Sequence, residues 1–287
     1  MHRNFAFLLA AGLASPLAAQ AAESYDNCAG FIDALPAVVS SQGMWCLRKD
    51  VNFAAGSGDA IRVLANNVTI DCNGFKVGGL SAGAGTAAVG IAAVERHNVT
   101  VRNCSVRGFY RGIFLSGIEG SGHLVEDNRL DGNTYNAIRV DGDGSMVRRN
   151  LATATGGSTQ TANAVGISVN GSVDVLGNLV SGVSANPVGA GDGTGILAGG
   201  TPVGSIGGNR IVELAGGATG SIDGIRVTGS RAVVRGNQLD GDSGAGTGTG
   251  AGLRCDDETV RAKDNSVIGF SDALLGCGSA GGNDLQP

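Results

Sequence analysis

Two short sequence phrases alternate down most of this chain, and their period leaves few folds open. One phrase is V-x-x-N-x-Φ, where Φ is apolar. It runs Ile70–Phe75 around Asn73, Val125–Leu130 around Asn128, and Val175–Val180 around Asn178. It continues around Asn209, Asn237 and Asn265, with a degenerate copy ending at Asn150. In the copy at 101–106, Cys104 takes the Asn place. The other phrase is G-I-x-Φ, centred on Ile91, Ile113, Ile138, Ile167, Ile196, Ile225, Leu253 and Leu274, at spacings of 22, 25, 29, 29, 29, 28 and 21.

A period of 20–30 residues with short strands and no helical pattern predicts a β-solenoid. No single coil can bury its apolar side alone, so stacked coils share one core of aliphatic columns. At ~4.8 Å per strand, eight or nine coils make a rod on the order of 40 Å. The recurring Asn predicts a ladder in which inward-facing amides bond from coil to coil. A leucine-rich repeat needs an L-x-x-L-x-L frame, which is absent. Asp141-Gly142 and Asn170-Gly171 would ordinarily suggest hairpins. The same place reads Ser116-Gly117, Gly199-Gly200 and Thr228-Gly229 elsewhere. A column repeating once per coil is better read as a solenoid corner that needs positive φ.

These phrases strongly resemble the right-handed parallel β-helix repeats of the pectin lyase-like superfamily. The resemblance rests on Asn67-Val-Thr-Ile-Asp-Cys-Asn-Gly74, Asn98-Val-Thr-Val-Arg-Asn-Cys104, Gly108-Phe109 and Gly112-Ile113, and covers about residues 60–277. In repeat wording the chain is similar to periplasmic β-helix proteins of the copper-protein-maturation type and their uncharacterised relatives. The resemblance implies the fold and leaves the activity open, because members include lyases, hydrolases, epimerases and adhesive rods. In carbohydrate-active members it implies a groove along the rod, lined by outward residues of stacked strands.

The expected fold is therefore all-β, a single-stranded right-handed parallel β-helix of eight or nine coils over residues 61–287. Residues 22–60 are read as a small N-terminal cap. Phe31-Ile32, Leu35 and Val38-Val39 have helical spacing, which predicts a helix at about 29–41 followed by a strand at Trp45-Cys46-Leu47. Residues 1–21 read as a signal peptide: a basic start, an apolar run at 5–13 and Ala19-Gln20-Ala21 as an A-x-A site. The protein is thus expected to be exported, to periplasm or exterior, without a transmembrane segment. A net charge of −5 gives no electrostatic case for nucleic acid or an anionic membrane.

All six cysteines follow the signal, an even count that suggests disulfides in an exported chain. Cys72 and Cys104 fall at nearly the same bend of consecutive coils, and Cys255 and Cys277 do likewise. This register favours Cys28–Cys46, Cys72–Cys104 and Cys255–Cys277, with stacked free thiols as the alternative. No CxxC pair or metal-ligand spacing is present, so no metal site is assigned; the Asp-Gly pairs lack an EF-hand or RTX frame, leaving calcium a weak reading. The Gly-Thr-Gly run at 245–250 lacks the Lys-Ser/Thr ending of a phosphate loop.

The outward columns carry one constellation that suits chemistry. Tyr110 and Tyr135 each precede the G-I Ile by three residues, so they should stack in adjacent coils as a sugar platform. Arg111, Arg139 and Asp141 follow on the same strands, His97 enters the preceding coil and His123 the next. Tyr, His, Arg and Asp together suit proton abstraction and charge neutralisation; ordinary aromatic ladders and solvated charges are the plainer reading. A second column, Arg226 with Arg254 beside Asp223, Asp256 and Asp257, reads as surface ion pairs. No hydrolase motif is present, and whether the chain is an enzyme stays open; lyase, epimerase and glycoside hydrolase are the classes in view. Two functions follow: an exported protein that binds, or binds and processes, polysaccharide, or a non-enzymatic structural or adhesive rod.

Overall fold

A computed structural model describes residues 25, 27–241 and 250–286. The signal sequence expected over 1–21 and nearly all of the Gly-Thr-Gly run lie outside the described residues. The chain is a right-handed parallel β-solenoid. Three sheets form its walls, with eleven, ten and ten strands among the described residues, and neighbouring strands in each sheet come from successive coils.

One coil shows the construction. Val99–Arg102 lies in the first sheet, Ser105–Arg107 in the third and Arg111–Ser116 in the second. Val101, Val106, Ile113 and Leu115 point inward and are fully buried. Side chains alternate between core and outside along each strand, so the V-x-x and I-x-Φ wording places one aliphatic residue per position per coil. The registers then stack like on like: Ile91, Ile113, Ile138, Ile167, Ile196, Ile225, Leu253 and Leu274 form one column.

Every strand pair among the described residues is parallel, which excludes the hairpin reading of Asp141-Gly142. Gly142 instead turns a corner at φ +109, and a Cβ there would collide with the Gly120 carbonyl. The bend between the first and third sheets is tighter still. The residue before each ladder Asn adopts positive φ, as at Asp127, Arg149, Gly177, Gly208, Gly236 and Asp264. One left-handed residue reverses the chain enough to aim the following amide inward.

The amides form the expected ladder. Nδ2 of Asn128 donates to Asn150, Asn150 to Asn178, Asn178 to Asn209, Asn209 to Asn237, Asn237 to Asn265 and Asn265 to Asn283, at 2.9–3.0 Å. Each acceptor Oδ1 also receives the backbone N–H of the preceding ladder Asn. Asn73 is not a rung. Four residues separate Asp71 from Lys76 where two separate Arg102 from Ser105, so the wider bend swings Asn73 out to bond the Leu47 carbonyl. The cysteines are joined as Cys28–Cys46, Cys72–Cys104 and Cys255–Cys277. The second of these begins where the ladder does, because the Cys104 N–H donates to Asn128 Oδ1 at 3.0 Å.

The N-terminal helix is absent. Residues 29–41 hold the strands Gly30–Phe31 and Ala37–Val39, which pair with Gly43–Cys46 and Asp59–Val63. Pro36 lies in the middle of the expected helix, where it has no N–H to give and its ring clashes with the preceding turn. The apolar residues alternate instead: Ile32 and Val39 are buried while Phe31 and Val38 are exposed. Cys28–Cys46 therefore ties the lead into one strand to its neighbour in the same sheet. The one helical element among the described residues is the short 3-10 turn Leu80–Ala82.

Candidate functional site

The second sheet carries every residue of the sequence-derived constellation except His97, His123, Tyr110 and Tyr135, which lie outside its strands. Its outward registers set Ala92, Phe114, Arg139, Ser168, Leu197, Arg226 and Arg254 in one line along the rod. Tyr110 and Tyr135 stand at the entrance to two successive strands. Their ring centroids are 5.0 Å apart with planes inclined by 29°. The coils on either side carry Ala88 and Ala164 at the matching place, both buried. Large rings thus stand at two successive coils, with small side chains at the matching place in the coils on either side. Partial burial raises the Tyr110 hydroxyl above the usual tyrosine range, against the pull of Arg111.

Arg111 lies across this stack. Its guanidinium carbon is 5.0 Å from the Tyr110 ring centre, 5.5 Å from Tyr135 and 4.9 Å from Phe114. No carboxylate lies within ion-pair distance of it among the described residues, in contrast to Arg102, Arg107, Arg148 and Arg254. A cation held near three aromatic rings and by no carboxylate keeps N–H groups for an anion. Arg139 joins the group more loosely, 6.0 Å from Phe114.

Asp141 and His97 do not meet the tyrosines. They sit at the opposite end of the same strands, ~20 Å away at ~3.3 Å per residue. Asp141 is paired there with Arg139 at 3.2 Å and accepts a hydrogen bond from the Ser116 hydroxyl at 2.5 Å. It borders a depression of ≈ 360 Å³ with Glu119, Ser121, Asp143 and Asn170. His97 Nδ1 is 2.9 Å from the Ser121 hydroxyl. The constellation thus divides into an aromatic–arginine platform and a polar corner.

His123 belongs to that corner and is 1% exposed. Its Nδ1 accepts the Val99 N–H at 3.3 Å. Burial, then repulsion from His97, hold its pKa down to about 4. The unfolded chain binds this proton near pH 6.5 and the folded chain near pH 4, so stability falls as pH drops between those values. The loss reaches about 3 kcal/mol by pH 4. Unfolding midpoints of the parent and His123→Asn, followed from pH 7 to 4, should diverge by that amount. Parallel profiles would contradict a neutral buried histidine.

The second arginine column is more deeply set than its sequence suggests. Arg226 and Arg254 are in register, and Arg254 Nε reaches Asp223 Oδ1 at 2.8 Å. The Asp223 side chain is fully buried, and burial raises its pKa despite both arginines. Asp256 and Asp257 take no part in these ion pairs. Among the described residues no group of three or more His, Cys, Asp or Glu is placed to hold a metal, and no helix is long and apolar enough to cross a membrane.

Sequence reading missed Phe114, although it fills the x of Gly112-Ile113-x. It also missed what covers the platform. The loops at 79–88 and 154–163 belong to the coils flanking the two tyrosine bends. They meet above those bends, where Thr159 N–H donates to the Ala84 carbonyl at 3.1 Å and Gln160 Nε2 to the Gly85 carbonyl at 3.0 Å. These contacts span about 75 residues of sequence, and no local pattern announces them.

No protein-family model matches the chain, and no curated protein matches it. Among solved structures, a tailspike protein mutant of E. coli bacteriophage HK620, in complex with a pentasaccharide, is similar at 10% identity. The match covers 86% of this chain and 67% of that one, with a TM-score of 0.29.

Proposed function

We propose that this protein binds acidic polysaccharide on the outward face of its second sheet, with Tyr110, Tyr135 and Arg111 as the contact. The observation that carries this reading is the Arg111 guanidinium, which lies across two stacked tyrosines with no carboxylate partner among the described residues. Aromatic faces cover the apolar C–H surface of a sugar ring while hydroxyls stay solvated. A guanidinium beside them pairs in plane with a carboxylate. Phe114 and Arg139 extend the surface across the strands, and Arg226 and Arg254 lie farther along the rod. The three disulfides fit an oxidising compartment, hence export.

The chemistry is that of recognition. Asp141, the acidic member of the constellation, is already paired and ~20 Å from the rings, which favours binding without bond cleavage. A second reading, a structural or adhesive rod, draws on the loops at 79–88 and 154–163, which contain no charged residue.

An array of polyuronates and their carboxyl-reduced counterparts tests the proposal. The parent should be retained on the acidic members and weakly on the reduced ones. Tyr110→Ala with Tyr135→Ala should abolish retention while the far-ultraviolet circular dichroism is unchanged. No retention of the parent, or undiminished retention of the double variant, removes the reading. Unsaturated products released from the array would add a lyase activity.

A further inference from the structure

Beneath the joined loops lies a set of polar atoms that the protein itself leaves unpaired. Of eight buried side-chain atoms without a hydrogen-bond partner among the described residues, four gather here: Arg111 Nε, Thr134 Oγ1, Asn136 Oδ1 and Thr155 Oγ1. Asn136 and Thr155 are each 1% exposed and Thr134 is 8% exposed. They occupy one neighbourhood. Asn136 is the register partner of Arg111 on the next coil, immediately after Tyr135. Thr134 immediately precedes Tyr135. Thr155 opens the loop at 154–163, whose Gly156 N–H bonds the Asn133 carbonyl and whose Ser158 N–H bonds the Thr134 carbonyl. The same loop then crosses to Ala84 and Gly85 three coils back.

Elsewhere this solenoid pairs its buried amides with care. Every ladder Asn from Asn128 to Asn265 has both its Oδ1 and its Nδ2 engaged. Leaving a buried polar atom unpaired is unfavourable, so four together, beside the aromatic platform, point to a ligand that pairs with them. The set has the right complementarity for a sugar. Asn136 Oδ1 accepts from a hydroxyl, Arg111 Nε donates to a carboxylate or ring oxygen, and the Thr134 hydroxyl does either.

We propose that Asn136 and Thr134, with Arg111 Nε, form a hydroxyl-reading subsite of the glycan site, and that the clasp of the loops at 79–88 and 154–163 lifts to admit the sugar. This rests on the polysaccharide reading above. The subsite fixes which hydroxyls flank the bound carboxylate, while the tyrosines supply area without that selectivity. A site built to bond a hydroxyl discriminates against an analogue lacking it, because its own buried groups then stay unpaired.

Asn136→Leu and Thr134→Val are the informative variants, since each replaces an unpaired polar group by an apolar one of similar size. Their melting temperatures without ligand should equal or exceed the parent's, by ~2–4 °C for each unpaired group removed. Their affinity for a polyuronate, measured by calorimetry, should fall at least tenfold. If both variants bind as the parent does while the tyrosine double variant does not, the subsite is wrong and the platform stands. If the parent binds no polyuronate, the polysaccharide reading fails and this inference fails with it. If both variants melt well below the parent and Arg111→Lys still binds as the parent does, the polar atoms serve the fold and the subsite is likewise overturned.

Discussion

Asn178→Ala is expected to destabilise the rod by about 2–4 kcal/mol, far more than its small change in apolar area implies. Asn178 is 2% exposed and holds the middle of the ladder. Its Oδ1 receives both the Asn150 backbone N–H at 2.9 Å and the Asn150 amide at 3.0 Å. Its Nδ2 donates to the Val147 carbonyl and to Asn209 Oδ1, each at 3.0 Å. Alanine leaves the Asn150 N–H buried with no acceptor, strips the Val147 carbonyl of a donor and opens a small cavity. Asn283→Ala, at the half-buried last rung, should cost ~1 kcal/mol, because solvent can replace what is lost. Denaturant midpoints of the two variants measure the contrast. Equal effects would mean that the rungs act as isolated hydrogen bonds and position in the ladder is immaterial. A stacked repeat passes such damage to its neighbours, since each coil is held by the one before and the one after.

Removing the Cys72–Cys104 bond should be of similar size. The cross-link closes 32 residues of chain, one whole coil. The chain-entropy estimate for such a loop is about 3–4 kcal/mol. Local packing adds to it, because Cys72 and Cys104 are buried and Cys104 starts the ladder by donating to Asn128. Cys72→Ala with Cys104→Ala should therefore lower the unfolding midpoint sharply under non-reducing conditions. Mass mapping of the parent should recover the 72–104 linked peptide. Two free thiols at these positions, together with an unshifted midpoint in the double variant, would overturn the assignment.

The proposed polysaccharide contact rests on fewer residues than stability does, and those residues differ in how legible they are. Tyr110 and Tyr135 were readable because both stand three places before an Ile of the G-I phrase; once the period is known, equal offsets become neighbours. Arg111 was readable for the same reason. Its importance was not, because sequence cannot say that Arg139 has Asp141 while Arg111 has no carboxylate partner among the described residues. His97 and Asp141 were grouped with the tyrosines by their nearness in sequence. A strand of six residues nevertheless separates two corners by ~20 Å. The N-terminal helix failed on a single residue: the apolar spacing of 31–39 suits a helix, but Pro36 breaks it and the sheet edge offers strands a partner.

Sequence by itself determined the solenoid, its coil period, the inward aliphatic columns and the Asn ladder, and it favoured the cysteine pairing that the structure holds. All of these follow from a repeat whose every copy must bury the same side and meet its neighbours in register. Tertiary structure alone decided how the outward groups combine. The wider bend that drops Asn73 from the ladder, the burial of Asp223, and the loops that close over Thr134 and Asn136 depend on contacts between coils. Such contacts join residues up to about 75 positions apart, and their geometry is fixed by loop length and packing, which no single repeat encodes.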